Sequence, residues 1–491
     1  MNRKIELPLV GLLASAFSLY ILLRAWWVPV TVDESSTSIN HVPRMVFDTL
    51  FYEKEANPNN HILNTLAIKL LTGLFGWHPF VIRVPALVGG FLYLGAAIML
   101  TRRLSDQPAL RIFGLVLLLG NPYTIEFFSL ARGYGLAAGL MLTAVWQAFR
   151  FLEARNKAHL TSAIVLAGLS VYANFTLLLF FLPFAALLFY AAWQMNPSPL
   201  RFWKETKGAW TGLGIYAALW YLPLARLSQD AAFNAWTKND TFFFTVQRTV
   251  GAAVQRNQLE TTETVRLLAW LVALFCTGMT LVTLRRWWRA GRQWTSDPRL
   301  LLATILPAVV ILNILQAELT GVTYLESRLA QFYYPLLALQ LTIAGVWMWQ
   351  RWAARAWAYL APLGVFTLLN FFSQANLREA VEWWFDQDTY NVMNYLRKKY
   401  EEEGRKEPFL LDTFFLLQNS YTYHLELDPR DFNKYVKLTP WHTPRPPLPE
   451  ADFFFTEDGA DAKLLLNDFD VVMRGPNSNT VLLRKKRQAL N

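Results

Sequence analysis

Runs of about twenty consecutive apolar residues recur along roughly the first three-quarters of this chain. They constrain the fold more than any other feature. An α-helix rises about 1.5 Å per residue, so about twenty residues cross the hydrocarbon core of a bilayer. Run length predicts about eleven such spans, roughly at 8–30, 79–101, 110–128, 134–152, 159–176, 177–195, 208–226, 264–284, 300–318, 330–350 and 356–374. The block 159–195 is divided at Tyr172-Ala173-Asn174-Phe175, where the asparagine can turn the chain. Composition agrees: 54% of the 491 residues are hydrophobic and only 17% are charged, where a soluble protein carries about 25%. The expectation is a polytopic α-helical membrane protein.

The N-terminus, Met1-Asn2-Arg3-Lys4, has the basic character of a signal sequence. The apolar run behind it is long, and Trp26-Trp27-Val28-Pro29-Val30 lacks a small-residue cleavage site. An uncleaved signal-anchor is therefore expected. The net charge of +10 does not point to nucleic acid, because the basic residues sit in short loops between spans. They crowd on one side: Arg102, Arg103 and Arg111; Arg150, Arg155 and Lys157; Arg201, Lys204 and Lys207; Arg285 to Arg299; Arg351 and Arg355. The positive-inside rule then puts the N-terminus inside, and an odd span count puts the C-terminus outside. The single cysteine, Cys276, lies within an apolar run, so no intrachain disulfide and no Cys/His zinc spacing is available.

The longest outer loop is the first, 31–78. Within it Pro43 to Phe51 and His61 to Phe75 have helical apolar spacing and read as amphipathic helices in the outer interface. The loop at 227–263 is polar, with Phe242-Phe243-Phe244 as an interfacial anchor. The transmembrane part ends near 375. From Asn376 the character changes. Asp386 to Glu403 reads as an amphipathic helix ending near Gly404. Pro408 to Leu411 and Asp452 to Phe455 read as short strands. Asp470 to Arg474 and Thr480 to Arg484 flank the turn residues Gly475 to Asn479, a hairpin signal. Pro440 to Pro449 reads as a loop. The stretch 376–491 is thus expected to be a small extracytoplasmic α/β domain, large enough for its own core.

Val32-Asp33-Glu34-Ser35 follows directly on the first span. Adjacent carboxylates there fit a solvated loop start or a structural salt bridge. They equally fit a general base, which a transferase needs when a hydroxyl or amine acceptor loses its proton. A phosphate leaving group needs no protonation, so one base suffices, unlike glycoside hydrolysis. A departing phosphate does need cations. Arg83, Arg132, Arg328 and Lys69 are the candidates, since they lie on the outer face against the positive-inside bias, and arginine's fork binds two phosphate oxygens at once. Each also fits snorkelling to lipid headgroups. His61 and Glu126 are candidate substrate contacts. With Asp33 and Glu34 they also compose a hard-cation set, although no spacing demands one.

The order of these elements resembles a family. It comprises the acidic pair after the first span, Asn59-Asn60-His61 followed by a helix, and Phe80-Val81-Ile82-Arg83-Val84-Pro85-Ala86-Leu87 opening the second span. It continues with Asn121-Pro122, then Ala131-Arg132-Gly133-Tyr134, then Arg328 before Tyr333-Tyr334-Pro335. This pattern, over about 1–350, is similar to that of the integral-membrane GT-C glycosyltransferases of the protein O-mannosyltransferase and aminoarabinose–lipid A transferase type. The resemblance departs where many relatives have His-Pro-Pro and this chain has His61-Ile62-Leu63. It implies a polyprenyl-phosphate sugar donor, inversion at the anomeric carbon and an extracytoplasmic site. It further implies Asp33, with Glu34, as the base, and Arg132 and Arg328 on the donor phosphate, with Arg83 and Lys69 near them. Tyr134 and Tyr333 join His61 and Glu126 as substrate contacts. The acceptor is a lipid, glycan or protein, and the setting is the bacterial inner membrane. No metal is called for with certainty, although a divalent cation is compatible. Readings from other classes are a transporter or flippase of a lipid-linked sugar, and a non-catalytic partner in envelope assembly. Transporters usually carry polar or Gly/Pro breaks in mid-span, and these spans are mostly clean.

Overall fold

A computed structural model describes residues 3–54, 56–229, 241–255, 262–414, 417–440, 450–476 and 478–486. The loop expected at Pro440 to Pro449 lies almost wholly outside the described residues. The chain is mostly helical. Seven stretches are long and apolar enough to cross a bilayer: Ile5–Trp27, Pro79–Leu104, Gly133–Ala154, Phe175–Met195, Glu263–Ala290, Pro298–Thr320 and Tyr333–Gln374. An eighth is present if Pro108–Leu119 and Pro122–Ser129, bent by 63°, form one broken span. The chain is a multi-pass membrane protein.

The difference from eleven has identifiable causes. The run at 159–176 forms a helix of only 17 residues, Lys157–Ala173, about 25 Å long at 1.5 Å per residue. The run at 208–226 is the second part of Pro199–Leu227, whose first turns carry Arg201, Lys204, Glu205 and Lys207. The last two runs form Tyr333–Trp352 and Trp357–Gln374, which count together as one apolar stretch. The break expected at Asn174 is present. Its side chain accepts the Thr176 N–H at 3.2 Å, capping a short 3-10 turn before Leu178–Met195. The interfacial segments form Val46–Phe51 and Ile62–Phe75. Phe242 to Phe244 open a helix, Phe242–Val254, rather than lying in a loop.

The chain divides into two compact units. One comprises Met1–Leu22, Val46–Asn64 and Pro85–Ala375. The other comprises Leu23–Met45, Thr65–Val84 and Asn376–Asn491. In the first unit, helices Pro79–Leu104 and Gly133–Ala154 cross where Gly89, Gly135 and Gly139 meet. A Cβ on Gly139 would lie 2.1 Å from the Gly89 carbonyl oxygen, and one on Gly89 would lie 2.4 Å from that of Gly135. Small residues are what allow backbones within a membrane to approach this closely.

The second unit contains a five-stranded sheet of β1 (Phe409–Thr413), β2 (Val436–Leu438), β3 (Phe453–Glu457), β4 (Phe469–Arg474) and β5 (Thr480–Lys485). The order is β2-β1-β3-β5-β4. β1 pairs in parallel with β2 and β3, and β5 pairs antiparallel with β3 and β4. The expected hairpin is β4–β5, with an irregularity between Val471 and Met473. Phe454, Phe469, Val481 and Leu483 pack with Ala462 and Leu465 on one side of the sheet. The expected amphipathic helix runs over Thr389–Glu402, preceded by a 3-10 segment, Val381–Asp388. Arg24, fully buried, donates to the carbonyls of Asn376 (2.6 Å) and Glu379 (2.9 Å).

Candidate functional site

The acidic pair lies in the second unit on a helix of five residues, Val32–Ser36. Thr31 caps it: its hydroxyl accepts the Glu34 N–H at 3.3 Å, and Glu34 Oε2 accepts the Thr31 N–H at 2.9 Å. This reciprocal capping box satisfies donors that a helix start leaves open. Thr37–His41 continues the helix as a π turn, closed by the Val42 N–H on the Thr37 carbonyl at 3.0 Å. Lys69 Nζ donates to the carbonyls of Val42 and Arg44, both at 2.8 Å. Two of its three donors thus end the segment that the acidic helix begins.

The two carboxylates have different surroundings. Glu34 is fully buried and Asp33 is half-buried, because successive helical residues point about 100° apart. Arg83 Nε and Nη donate to the two oxygens of Glu34, both at 2.8 Å. The other N–H groups of Arg83 reach the carbonyls of Ala25 (3.1 Å), Val28 (2.7 Å) and Pro29 (2.9 Å). A guanidinium has five N–H donors, and all five are engaged in this unit. Arg83 therefore has none left for a donor phosphate, contrary to expectation. Glu34 has both oxygens bonded and is a structural partner of Arg83. Among the described residues no group of three or more His, Cys, Asp or Glu side chains is gathered to hold a metal ion.

The C-terminal residues of the same unit supply groups that sequence reasoning missed. Asp386, 2% exposed, accepts the Val32 N–H on Oδ2 at 2.7 Å and the Ser420 hydroxyl on Oδ1 at 2.6 Å. Burial pushes its carboxyl up to about 8; the Ser420 and Val32 bonds oppose that rise, and the charges of Asp33 and Glu34 add to it. Its place after Trp383-Trp384-Phe385 is the available signal, since a carboxylate ending an aromatic run is drawn inside with it. Ser420 lies on Gln418–Glu426, which packs on the acidic helix. On the same helix His424 Nδ1 meets Asp428 Oδ2 at 2.7 Å, and Arg430 Nε donates to Asp428 Oδ1 at 2.8 Å. Burial lowers the affinity of His424 for a proton, against the opposing pull of Asp428. Burial would raise Asp428, but the bonds from Arg430 and His424 outweigh it and hold that carboxyl well below the usual range.

The first unit holds the remaining candidates. Arg132, 1% exposed, precedes Gly133–Ala154 and donates to the Asn59 carbonyl at 3.2 Å and to the Asn59 side-chain oxygen. Its guanidinium lies 5.9 Å from the Tyr134 ring centre. The His61 ring is 4.8 Å from that of Tyr134, so Arg132, Tyr134 and His61 are brought together. Gly133 explains itself: a Cβ there would lie 2.0 Å from the Ala173 carbonyl oxygen and 2.6 Å from the His61 Cβ. Glu126 is buried at the end of Pro122–Glu126. Arg328 is half-exposed in the 3-10 turn Ser327–Ala330. Tyr333 accepts the Asn313 amide at 2.8 Å and lines a cavity of about 450 Å³. Leu117, Val246, Val250, Leu268, Leu306, Leu337 and Phe366 make that cavity mostly apolar, with Asn121, Thr124 and Thr249 among its polar groups.

No family model matches the chain, and no curated protein sequence does. Among solved structures it is similar to ArnT from Cupriavidus metallidurans bound to undecaprenyl phosphate: 12% identity and a TM-score of 0.47, covering 96% of this chain and 97% of that one. The apo state of ArnT gives 13% identity and a TM-score of 0.45 over the same shares. The oligosaccharyltransferase of Archaeoglobus fulgidus in complex with zinc and sulfate gives 13% and 0.43, over 92% of this chain and 68% of that one.

Proposed function

We propose that this chain is an inverting glycosyltransferase of the GT-C class that takes a sugar from a polyprenyl-phosphate donor, with Asp33 as general base. The observation that carries the reading is the division within one short helix. Glu34 is held through both oxygens by Arg83, while its neighbour Asp33 is only half-buried on a framed backbone. Asp33 takes the proton of an acceptor hydroxyl or amine as the acceptor atom bonds to the anomeric carbon. The bond from that carbon to the phosphate oxygen breaks on the opposite face. Polyprenyl phosphate leaves with the electron pair and requires no acid. The apolar cavity of the first unit suits part of a prenyl chain, which needs an oily lining of this kind. Arg132, Arg328 and the remaining donor of Lys69 are the cations assigned to the phosphate; His61, Glu126, Tyr134 and Tyr333 are assigned to substrate. The membrane part has about eleven spans with the N-terminus inside. The C-terminal residues face the outside of a bacterial inner membrane, and the acceptor is a lipid, glycan or protein there.

The test uses the full chain in nanodiscs with a panel of synthetic undecaprenyl-phosphate sugars, chosen after mass analysis of envelope lipids and glycans in a deletion strain. Asp33→Asn is expected to lower transfer by about 10²–10⁴-fold, the usual worth of a general base. Wild-type transfer by a folded Asp33→Asn protein would overturn the assignment.

A further inference from the structure

We propose that Asp386, supported by Ser420, is a positioning residue for Asp33, fixing the acidic helix from the C-terminal part of the chain. The inference rests on the reading of Asp33 as the base. A five-residue helix has a costly nucleus and little propagation to offset it, so Val32–Ser36 does not hold its place by itself. Two of the side-chain ties that reach it from elsewhere in the chain bracket Asp33. At the residue before it, the Val32 N–H is bound by Asp386; at the residue after it, the Glu34 side chain is bound by Arg83. Val32 is the first residue of the helix, so its N–H has no partner within the helix. Asp386 supplies that partner, and both of its oxygens are used, one on Val32 and one on Ser420. Removing the carboxyl frees one end of the segment that carries the base. A displacement of about 1 Å at a catalytic group costs up to about 10²-fold in rate.

The acidic and phenolic groups facing Asp386 are Asp33 and Glu34 from the acidic helix and Tyr421 from Gln418–Glu426. The Val32 N–H and the Ser420 hydroxyl that Asp386 bonds are neutral groups, so a neutral amide can replace it. Asp386→Asn keeps an oxygen for the Val32 N–H; Asp386→Ala keeps none.

Two readouts on the full chain in nanodiscs separate this inference from the function it rests on. The first is hydrogen exchange of the amides of residues 31–36, which needs no substrate. In Asp386→Ala it is expected to speed up about 10-fold or more. In Asp386→Asn it stays within about threefold of wild type. The second is transfer from whichever undecaprenyl-phosphate sugar the wild-type chain consumes. Asp386→Ala is expected to lower kcat about 10- to 100-fold, with KM for the donor within about threefold, and Asp386→Asn restores most of the rate. Unchanged exchange or unchanged kcat in a folded Asp386→Ala protein overturns the inference. If that variant does not fold, Ser420→Ala carries the same test: exchange at 31–36 faster than wild type supports it, and unchanged exchange overturns it. If Asp33→Asn transfers at the wild-type rate, the proposed function fails, while the exchange result still decides the part played by Asp386.

Discussion

Replacing Arg83 by methionine tests whether this cation frames the site or binds donor. Methionine keeps an unbranched stem of similar reach and removes all five donors. Glu34 is left buried without its two bonds from Arg83, and the carbonyls of Ala25, Val28 and Pro29 lose their Arg83 bonds. Removing one partner of a buried ion pair costs about 3–5 kcal/mol. Each stranded carbonyl adds to that, by about 1 kcal/mol or more where no other group takes its place. A total of about 6 kcal/mol or more shifts an unfolding midpoint by about 12 °C or more at about 2–4 °C per kcal/mol. The assay is thermal unfolding in nanodiscs at one fixed scan rate, with Glu34→Gln and the double variant measured alongside. A bonded pair predicts that the double variant loses less than the sum of the singles, by about 2–3 kcal/mol. A midpoint for Arg83→Met within about 2 °C of wild type, or strict additivity, refutes the reasoning. If Arg83 served the donor phosphate instead, the midpoint would hold and the donor KM would rise.

Two further outcomes are expected. Asp386 holds its proton to about 8 in the folded chain, against about 3.9 when unfolded. Between those values the folded state binds the proton and the unfolded state does not. Its contribution to stability is therefore complete below about pH 4 and is lost as pH rises through about 8. The thermal midpoint of Asp386→Asn should fall less steeply between pH 5 and 9 than that of wild type, and equal slopes would contradict the assignment. Gly133→Ala places a methyl against the Ala173 carbonyl and His61. A loss of about 1–3 kcal/mol is expected from such overpacking, read as a lower thermal midpoint; no change would mean that the helix start can shift.

Much of the fold was legible because bilayer crossing demands long apolar runs, and most of those form helices, seven of them among the described residues long and apolar enough to cross. Asn174 and the hairpin β4–β5 were legible for a local reason: capping and turn chemistry act within a few residues. The distinction between Asp33 and Glu34 was not. It depends on Arg83, which lies 49 residues further on and in sequence looks like any arginine at a membrane boundary. The acidic helix itself is too short for periodicity to register. Asp386 read as the acidic start of an amphipathic helix; the bond that gives it meaning spans 354 residues. Local signals thus singled out the acidic pair, and only tertiary bonds showed that Glu34 is held by Arg83.

The π turn Thr37–His41 stores one residue that the path from the acidic helix to the Lys69 tie does not need. A π turn accommodates one residue more than an α turn over the same path. Deleting one residue of the five would let the segment close as ordinary α-helix, with Asp33 and Glu34 keeping their directions relative to Val42 and Arg44. Deleting a second would exhaust that slack and turn everything upstream by about 100°. Asp33 and Glu34 differ by that same angle, so the second deletion, not the first, would carry the buried place of one under the side chain of the other.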